Sequence, residues 1–492
     1  MPQSERTHGL SKSRFVAGWQ CHRYLWWKTY EPDAKELVPD EGLKDRFEQG
    51  HQVGAAARQC FPGGTLIDFE HHDPARLPAT QAAIAAGAPA IFEASFLEDH
   101  VFVAVDVLER RPDGWVVIEV KSTTKVKPEH HPDAAIQAHV VRRAGLDVRR
   151  VEIMHLNKDY VHPDGGDLFV RADVTAAVET LLPEVPDLIA RQLKVVNGEL
   201  PQTPIGPHCW DPRECPFRER CWRPIPHHIS TLAGVGNVRA WEYMQHGIHT
   251  LRDIPAGQKL AAVAKRQLRA VARGEMVVEP GLREALGPFE RRLGFLDFET
   301  VARAIPVWPG LHPWGAVAAQ FSYHERRPDG SYAHAEFLAE GPRDPREAIA
   351  RALIEATRSA DRVVMYTTFE RTQIERLAQA VPQLAGDLHA LAAKLIDLHP
   401  VVKNHVYHPA FEGGFSLKDI LAPLVPGLDY EDLEIEEGGD ASVKLARLMF
   451  VAHLIPAEER DTLRHDLLEY CKRDTWATVK LLERLGELAA AM

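Results

Sequence analysis

An α/β fold spread over more than one domain is what this sequence predicts, and three observations predict it. The chain has 492 residues, too many for one ordinary hydrophobic core. Residues 101–121 alternate apolar and polar side chains around a turn, the pattern of a β-hairpin. From 291 onward, strand-like apolar runs are followed by helical patterns. Proline-rich stretches at 201–207 and 224–226 punctuate the chain. The predicted organisation is an α/β domain over 1–225, a small helical linker over 226–290 and a second α/β domain over 291–492.

Composition narrows the classes. Hydrophobic residues make up 45% and charged residues 26%, which is globular material. The opening MPQSERTHGLSKSR has no apolar segment of the signal-peptide kind, and no later run is long enough to span a bilayer. A cytoplasmic protein with no membrane partner is therefore expected. The net charge of -12 excludes nucleic-acid binding by bulk charge, so any such site must be local. Three of the six cysteines fall within CWDPRECPFRERCW at 209–222. In a reducing compartment such a cluster points to metal or iron–sulfur ligation rather than disulfides.

The hairpin carries the first candidate site. FVAVDVLER and WVVIEVKST are the two strands and RPDG the turn, so Glu119 and Lys121 share one face and Asp106 can sit beside them. Two carboxylates suit a hard divalent cation such as Mg²⁺ or Mn²⁺, and an adjacent lysine can orient its water. Asp followed by a hairpin turn and ExK resembles the PD-(D/E)xK restriction-endonuclease-like core, in its RecB-type branch. LSKSRFVAGWQCHRYLWW at 10–27 is similar to the N-terminal motif of the iron–sulfur members of that branch. EQGHQVGAAAR at 48–58 resembles the helix bearing a metal-facing histidine, here His51, and DAAIQAHVV at 133–141 the helix bearing a glutamine near the lysine, here Gln137. The branch usually has a tyrosine where this chain has Val141. Resemblance to the CRISPR-associated and AddB-type members implies that Cys21, Cys209, Cys215 and Cys221 hold a [4Fe-4S] cluster that clips the two ends of the domain together. The spacing before CPFRERC is five residues instead of two, so a zinc site stays open. Cys60 and Cys471 lie outside the pattern and are expected to be buried free thiols.

A second set of acids lies downstream. In GFLDFET at 294–300, Asp297 and Glu299 point to one face of a strand, and in RHDLLEYCKRDTWATVKLLERL at 464–485, Tyr470 and Asp474 are i,i+4 neighbours on a helix. DxE on a strand with YxxxD on a late helix resembles the DEDD exonucleases of the RNase H-like (DnaQ-type) superfamily. That resemblance implies two metal ions held by four carboxylates, with the tyrosine positioning water. VVMYTTFER at 363–371 is similar to the second motif of that family, with Glu370 in the aspartate position; Asp397 in LIDLHP is the other candidate for this ligand, ranked behind Glu370 because it more resembles the non-ligating aspartate that follows the second motif in such proteins. HPAFEGGFSLKDILAPLVPGLDY at 408–430 and LNKDYV at 156–161 resemble bacterial proteins long filed as a domain of unknown function, in which a RecB-like half is fused to an exonuclease-like half. The histidines at 399, 405 and 408 read as polar loop residues. LAGVG at 232–236 resembles a helix-hairpin-helix turn, with a plain helical linker the preferred reading, and the basic clusters at 121–127 and 142–150 are candidate phosphate contacts.

Together these readings lead us to expect a nuclease with two centres, acting on DNA that is single-stranded or at ends, in repair, end processing or defence, with a helicase as a conceivable partner. The catalytic set is Lys121, Gln137 and Tyr470. The metal ligands are His51, Asp106, Glu119, Asp297, Glu299, Glu370 and Asp474. Two alternatives stand beside it: a nucleic-acid-binding adaptor with one or both sites inactive, and an exonuclease acting on RNA.

Overall fold

The computed structural model describes residues 8–70, 73–222, 225–428, 433–435 and 438–492. The chain forms a mixed α/β structure in two compact units: Met1–Arg223 with Arg303–Gly315, and Pro224–Ala302 with Ala316–Met492. Among the described residues no helix is long and apolar enough to cross a membrane.

Unit 1 begins with strand β1 (Leu10–Ser11), helices α1 (Lys12–Gln20), α2 (His22–Tyr30) and α3 (Glu41–Arg58), strand β2 (Thr65–Leu66) and helix α4 (Arg76–Ala85). Strands β3 (Ala90–Glu98), β4 (Val101–Arg111) and β5 (Gly114–Lys121) follow as an antiparallel meander. Helix α5 (His130–Arg143) crosses to strand β6 (Val148–Leu156), parallel to β5, and β7 (Phe169–Asp173) returns beside it. Helices α6 (Thr175–Leu181), α7 (Val185–Val196) and the one-turn α8 (Arg218–Cys221) complete the unit. The sheet order is β2-β3-β4-β5-β6-β7, with β1 beside β4.

The predicted hairpin is β4–β5, with Arg111 opposite Gly114 across a two-residue Pro112–Asp113 turn. Gly114 has φ 138°, and a Cβ there would stand 2.6 Å from the Asp147 carbonyl oxygen, so glycine is needed at this corner. Trp115 and Val117 of β5 pack into the core beneath α5, whose Ala134, Ala135, Ile136 and Ala138 are fully buried. The period of two along β5 then carries Glu119 and Lys121 to that same face. Val116 and Ile118 pack on the opposite side with Ala57 of α3. Residues 303–315 are counted with this unit, where Trp314 Nε1–H donates to the Ser122 carbonyl at 2.6 Å.

Unit 2 begins with helices α9 (Asn237–Gln245) and α10 (Ala262–Arg273), strand β8 (Val277–Val278) and helix α11 (Leu282–Ala285). Then come β9 (Leu293–Val301), β10 (Val317–Arg326), β11 (Tyr332–Leu338), α12 (Arg346–Ala356), β12 (Arg362–Met365), α13 (Phe369–Ala380), α14 (Ala385–Lys394) and β13 (Leu395–Asp397). Helix α15 (His399–His405), strand β14 (Val406–Tyr407) and helices α16 (Leu417–Leu424), α17 (Gly438–Phe450) and α18 (Ala457–Ala490) finish the chain. The five-stranded sheet runs β11-β10-β9-β12-β13, antiparallel on the β10 side of β9 and parallel on the β12 side.

Helix α18 buries Leu463, Leu467, Tyr470, Cys471, Leu481 and Leu485, an apolar stripe at helical spacing that lies on the sheet. The linker region forms a small core of its own from Ile229, Leu232, Ala240, Leu251, Ala264 and Val271. Its LAGVG turn is pinned by Gln267, which accepts from the Ala233 N–H and donates to the Thr231 carbonyl, both at 2.7 Å. Two expectations need correcting. His399 and His405 are the ends of helix α15 rather than loop residues, because the apolar Val401 and Val402 between them are drawn into the core. Cys60 is exposed, since it lies in the turn after α3 where the chain leaves the core; Cys471 is buried as expected.

Candidate metal centres and the cysteine cluster

In unit 1, Asp106 of β4 and Glu119 and Lys121 of β5 lie where the β4–β5 ladder ends. The Val120 N–H donates to Asp106 Oδ2 at 2.7 Å. Lys121 Nζ bridges Glu119 Oε1 at 2.7 Å and Asp133 Oδ2 at 2.6 Å. Gln137, one turn after Asp133 on α5, donates to Glu119 Oε2 at 2.7 Å, while its own Oε1 is buried without a partner among the described residues. The sequence reading missed two members. Asp133 is one, although its i,i+4 relation to Gln137 was a signal. Lys12 is the other: the Ser11 side chain caps α1, and Lys12 from its first turn donates to both oxygens of Glu119, at 2.8 and 3.0 Å. His51 lies exposed on α3, outside this hydrogen-bond network.

The two carboxylates are pushed apart in acidity. Burial, with the charge of Glu119 beside it, raises Asp106 to about 7. Burial also opposes ionisation of Glu119, but Lys12 and Lys121 outweigh it and hold this group below the usual carboxylate range. A pair split in this way, one member fixed as an anion and the other poised near neutrality, suits metal binding or proton handling.

The four predicted cysteines converge. Cys21 sits in extended backbone between α1 and α2, and the 209–221 segment folds onto that junction. Gln20 donates to the carbonyls of His208 and Arg213 at 2.9 and 2.6 Å, and Arg220 pairs with Glu31 and Glu36, both at 2.6 Å. Burial, then the neighbouring sulfurs of Cys21, Cys209 and Cys221, pushes the Cys215 thiol up to about 12. Four uncrosslinked thiols gathered at one junction form a donor set that suits a metal. Arg23 Nε and Trp210 Nε1 are buried without acceptors among the described residues, and while burial raises the Cys221 thiol, the charge of Arg23 opposes that rise. Orphaned donors beside thiols fit a thiolate-ligated, anionic group.

In unit 2, one carboxylate oxygen from each of Asp297, Glu299 and Asp474 lies within 4.8 Å of the others; among the described residues this is the one such group of three. Strand β9 supplies the first two at i,i+2 and α18 the third. The helix is fastened to β10 by Thr475, whose Oγ1 meets Ser322 Oγ at 2.7 Å and His324 Nδ1 at 2.8 Å, and by Gln320, which donates to the Leu467 carbonyl at 2.6 Å. Glu370, in the first turn of α13, is buried with Oε2 unpartnered among the described residues, and its carboxyl shares a hydrogen bond with Asp297. Burial and the charges of the other acids raise Asp297, Glu299 and Glu370 far above ordinary carboxylates, so the cluster holds protons when no cation balances it.

Asp397 does something else. Its Oδ1 accepts from the Thr367 N–H at 3.0 Å and the His399 N–H at 2.9 Å, and Thr367 has φ 78°. It therefore holds the strained turn that presents Glu370. A cavity of about 240 Å³ opens over the acids, lined by Asp297, Tyr366, Glu370, Lys418 and Asp474. Lys418 also stands 5.7 Å from the Tyr470 ring centroid and eases the ionisation of Glu299. Tyr470 is buried beneath it rather than lining the cavity. The sequence reading quoted FSLKD without singling out Lys418.

The family described as a domain of unknown function (DUF2779) matches residues 294–416. The matched stretch contains Asp297, Glu299, Glu370 and Asp397, whereas Lys418, Tyr470 and Asp474 lie beyond it. No curated protein matches the chain.

Proposed function

We propose that the chain is a metal-dependent nuclease with two centres: a RecB-like PD-(D/E)xK centre in unit 1 and a DEDD-type, RNase H-like exonuclease centre in unit 2. The observation that carries this reading is the convergence of Asp297, Glu299 and Asp474 within 4.8 Å, beside a buried Glu370 oxygen that lacks a partner. Buried like charges of this kind are costly and persist where a cation binds them. Mg²⁺ or Mn²⁺ held there supplies Lewis-acid stabilisation of the attacking and leaving oxygens of a phosphodiester.

The chain's own residues divide the remaining work. In unit 2, Asp297, Glu299, Glu370 and Asp474 would hold the ions, Lys418 offers an ammonium to a phosphate oxygen in the cavity, and Tyr470, on whose ring Lys418 stands, positions the attacking water. In unit 1, Asp106 and Glu119 are the ligands, and Lys121, fixed between Glu119 and Asp133, orients the attacking water. The substrate of this reading is DNA, single-stranded or at ends, since an exonuclease takes an unpaired end that stacking and a backbone-tracking groove can hold. Cys21, Cys209, Cys215 and Cys221 would hold a structural [4Fe-4S] cluster, with zinc as the alternative occupant. Repair, end processing or defence in the cytoplasm is the setting this activity fits.

The test is digestion of end-labelled single-stranded DNA and, separately, RNA in Mn²⁺ by wild type, Lys121→Ala and Asp474→Asn. Loss divided between the two variants is expected. Binding of single strands with no cleavage under any divalent metal would replace this reading with an adaptor, and cleavage of RNA alone would change the substrate.

A further inference from the structure

Glu119 in unit 1 is saturated by its own chain. Oε1 accepts from Lys12 at 2.8 Å and Lys121 at 2.7 Å, and Oε2 accepts from Lys12 at 3.0 Å and Gln137 at 2.7 Å. A carboxylate offers about four lone-pair positions, and all are taken. A divalent ion cannot reach this carboxylate until one donor leaves.

The three donors differ in freedom. Lys121 is held at a second point by Asp133 at 2.6 Å. Gln137 is completely buried, so its amide has no water to move to. Lys12 sits at the start of α1 on a long stem, its side chain is 26% exposed, and its second contact, with Asp133, is long at 3.7 Å. A separate feature marks the place as a cation site: Gln137 Oε1, beside Glu119, is a buried acceptor with no partner among the described residues. A hard cation takes such oxygens.

We propose that Lys12 is a resident counter-cation of the unit 1 centre, a positioning residue that holds Glu119 in place and is displaced by the incoming divalent metal. This rests on the reading of Asp106 and Glu119 as metal ligands. The exchange conserves local charge better than simple loading, since one ammonium leaves as one divalent ion enters. The metal affinity of this centre is thereby set in part by a side chain that is not a ligand.

The experiment is a Mn²⁺ titration of metal-free full-length protein, followed by calorimetry and electron paramagnetic resonance, in an Asp297→Asn/Asp474→Asn background so that the signal comes from unit 1. Lys12→Met is expected to bind Mn²⁺ at least about tenfold tighter, because the two Lys12–Glu119 hydrogen bonds no longer have to be broken. Lys12→Arg is expected to bind more weakly than the parent, because a planar fork grips a carboxylate at two points. Glu119→Gln should abolish binding. A second readout avoids substitution at this position: acylation of the Lys12 amine, followed by mass spectrometry, should rise several-fold when Mn²⁺ is added. If Glu119→Gln abolishes binding while Lys12→Met leaves it unchanged or weaker and Lys12 labelling does not respond to Mn²⁺, the displacement idea fails and the metal centre stands. Binding indifferent to Glu119→Gln overturns the metal assignment itself.

Discussion

Loading of the unit 2 cluster with Mn²⁺ should stabilise the protein, and Asp297→Asn should both mimic part of that effect and remove the rest. Glu299 and Glu370 are buried and Asp297 half-buried, with pKa values raised by desolvation and by one another. A carboxyl raised in the native state binds more protons than its unfolded counterpart. The metal-free fold therefore loses stability as pH climbs from the ordinary carboxylate range, 3.8 for Asp and 4.5 for Glu, toward the raised values. Metal at a hundred times its dissociation constant contributes about 2.7 kcal/mol. For a unit of this size that corresponds to a rise in Tm of about 5–10 °C. Differential scanning calorimetry of wild type and Asp297→Asn, in chelator and in Mn²⁺ at pH 6 and pH 8, reads all of this. In chelator the variant should be the more stable at pH 8, by a margin that shrinks at pH 6, and it should lose most of the metal-induced shift. A variant less stable than wild type at pH 8 in chelator, or one that keeps the full shift, would refute the argument that these acids form a charge-strained metal site.

Three further outcomes follow from the geometry. Cys21→Ser should lose most of the iron and acid-labile sulfide from anaerobically purified protein, against about four irons for the parent, because Cys21 is the thiol that joins α1 and α2 to the 209–221 segment; retention of full iron content excludes it as a ligand. With Asp106 raised to about 7, Mn²⁺ affinity at the unit 1 centre should fall about tenfold for each pH unit below about 7, a dependence that Asp106→Asn should flatten in the titration. Gly294→Ala should destabilise unit 2 by about 1–3 kcal/mol in urea unfolding, since a Cβ on this β9 residue would collide with the buried Tyr323 ring.

What the sequence made legible was what local periodicity encodes. Alternation around RPDG gave β4 and β5 with their turn, and the i,i+4 pattern around Tyr470 and Asp474 marked α18, which runs further in both directions than the 464–485 stretch suggests, from Ala457 to Ala490. The acids of unit 2 were readable because their spacing on one strand and one helix already fixes their faces. The residues that complete the sites were hidden for a physical reason. Lys12 is separated from Glu119 by 107 positions, and nothing in a capped helix start says which strand its first turn will meet. No spacing rule ties Lys418 to the acids, and only the fold places it at the acid cavity; Asp397, ranked behind Glu370 as a ligand, holds the Thr367 turn instead. Cys60 shows the opposite limit: residue type predicted burial, and its place in a turn decided otherwise.

The two centres handle the same difficulty, buried carboxylates awaiting a cation, by different means. Unit 1 sets Asp106, Glu119 and Asp133 against the ammoniums of Lys12 and Lys121, so its charge is nearly balanced within the chain. Unit 2 gathers Asp297, Glu299, Glu370 and Asp474 with Lys418 at the cavity wall, and it carries the excess as bound protons, one of them between Glu370 and Asp297. A metal entering unit 2 therefore competes with protons on several acids, whereas one entering unit 1 competes with a tethered amine and with the single proton that Asp106 takes up near neutrality. Proton competition weakens as pH rises, and a lysine ammonium stays in place until well above neutrality. Above the range in which Asp106 titrates, the unit 2 centre should accordingly still answer to pH, and the unit 1 centre to whatever draws Lys12 away from Glu119, of which a substrate phosphate is the chemically natural candidate.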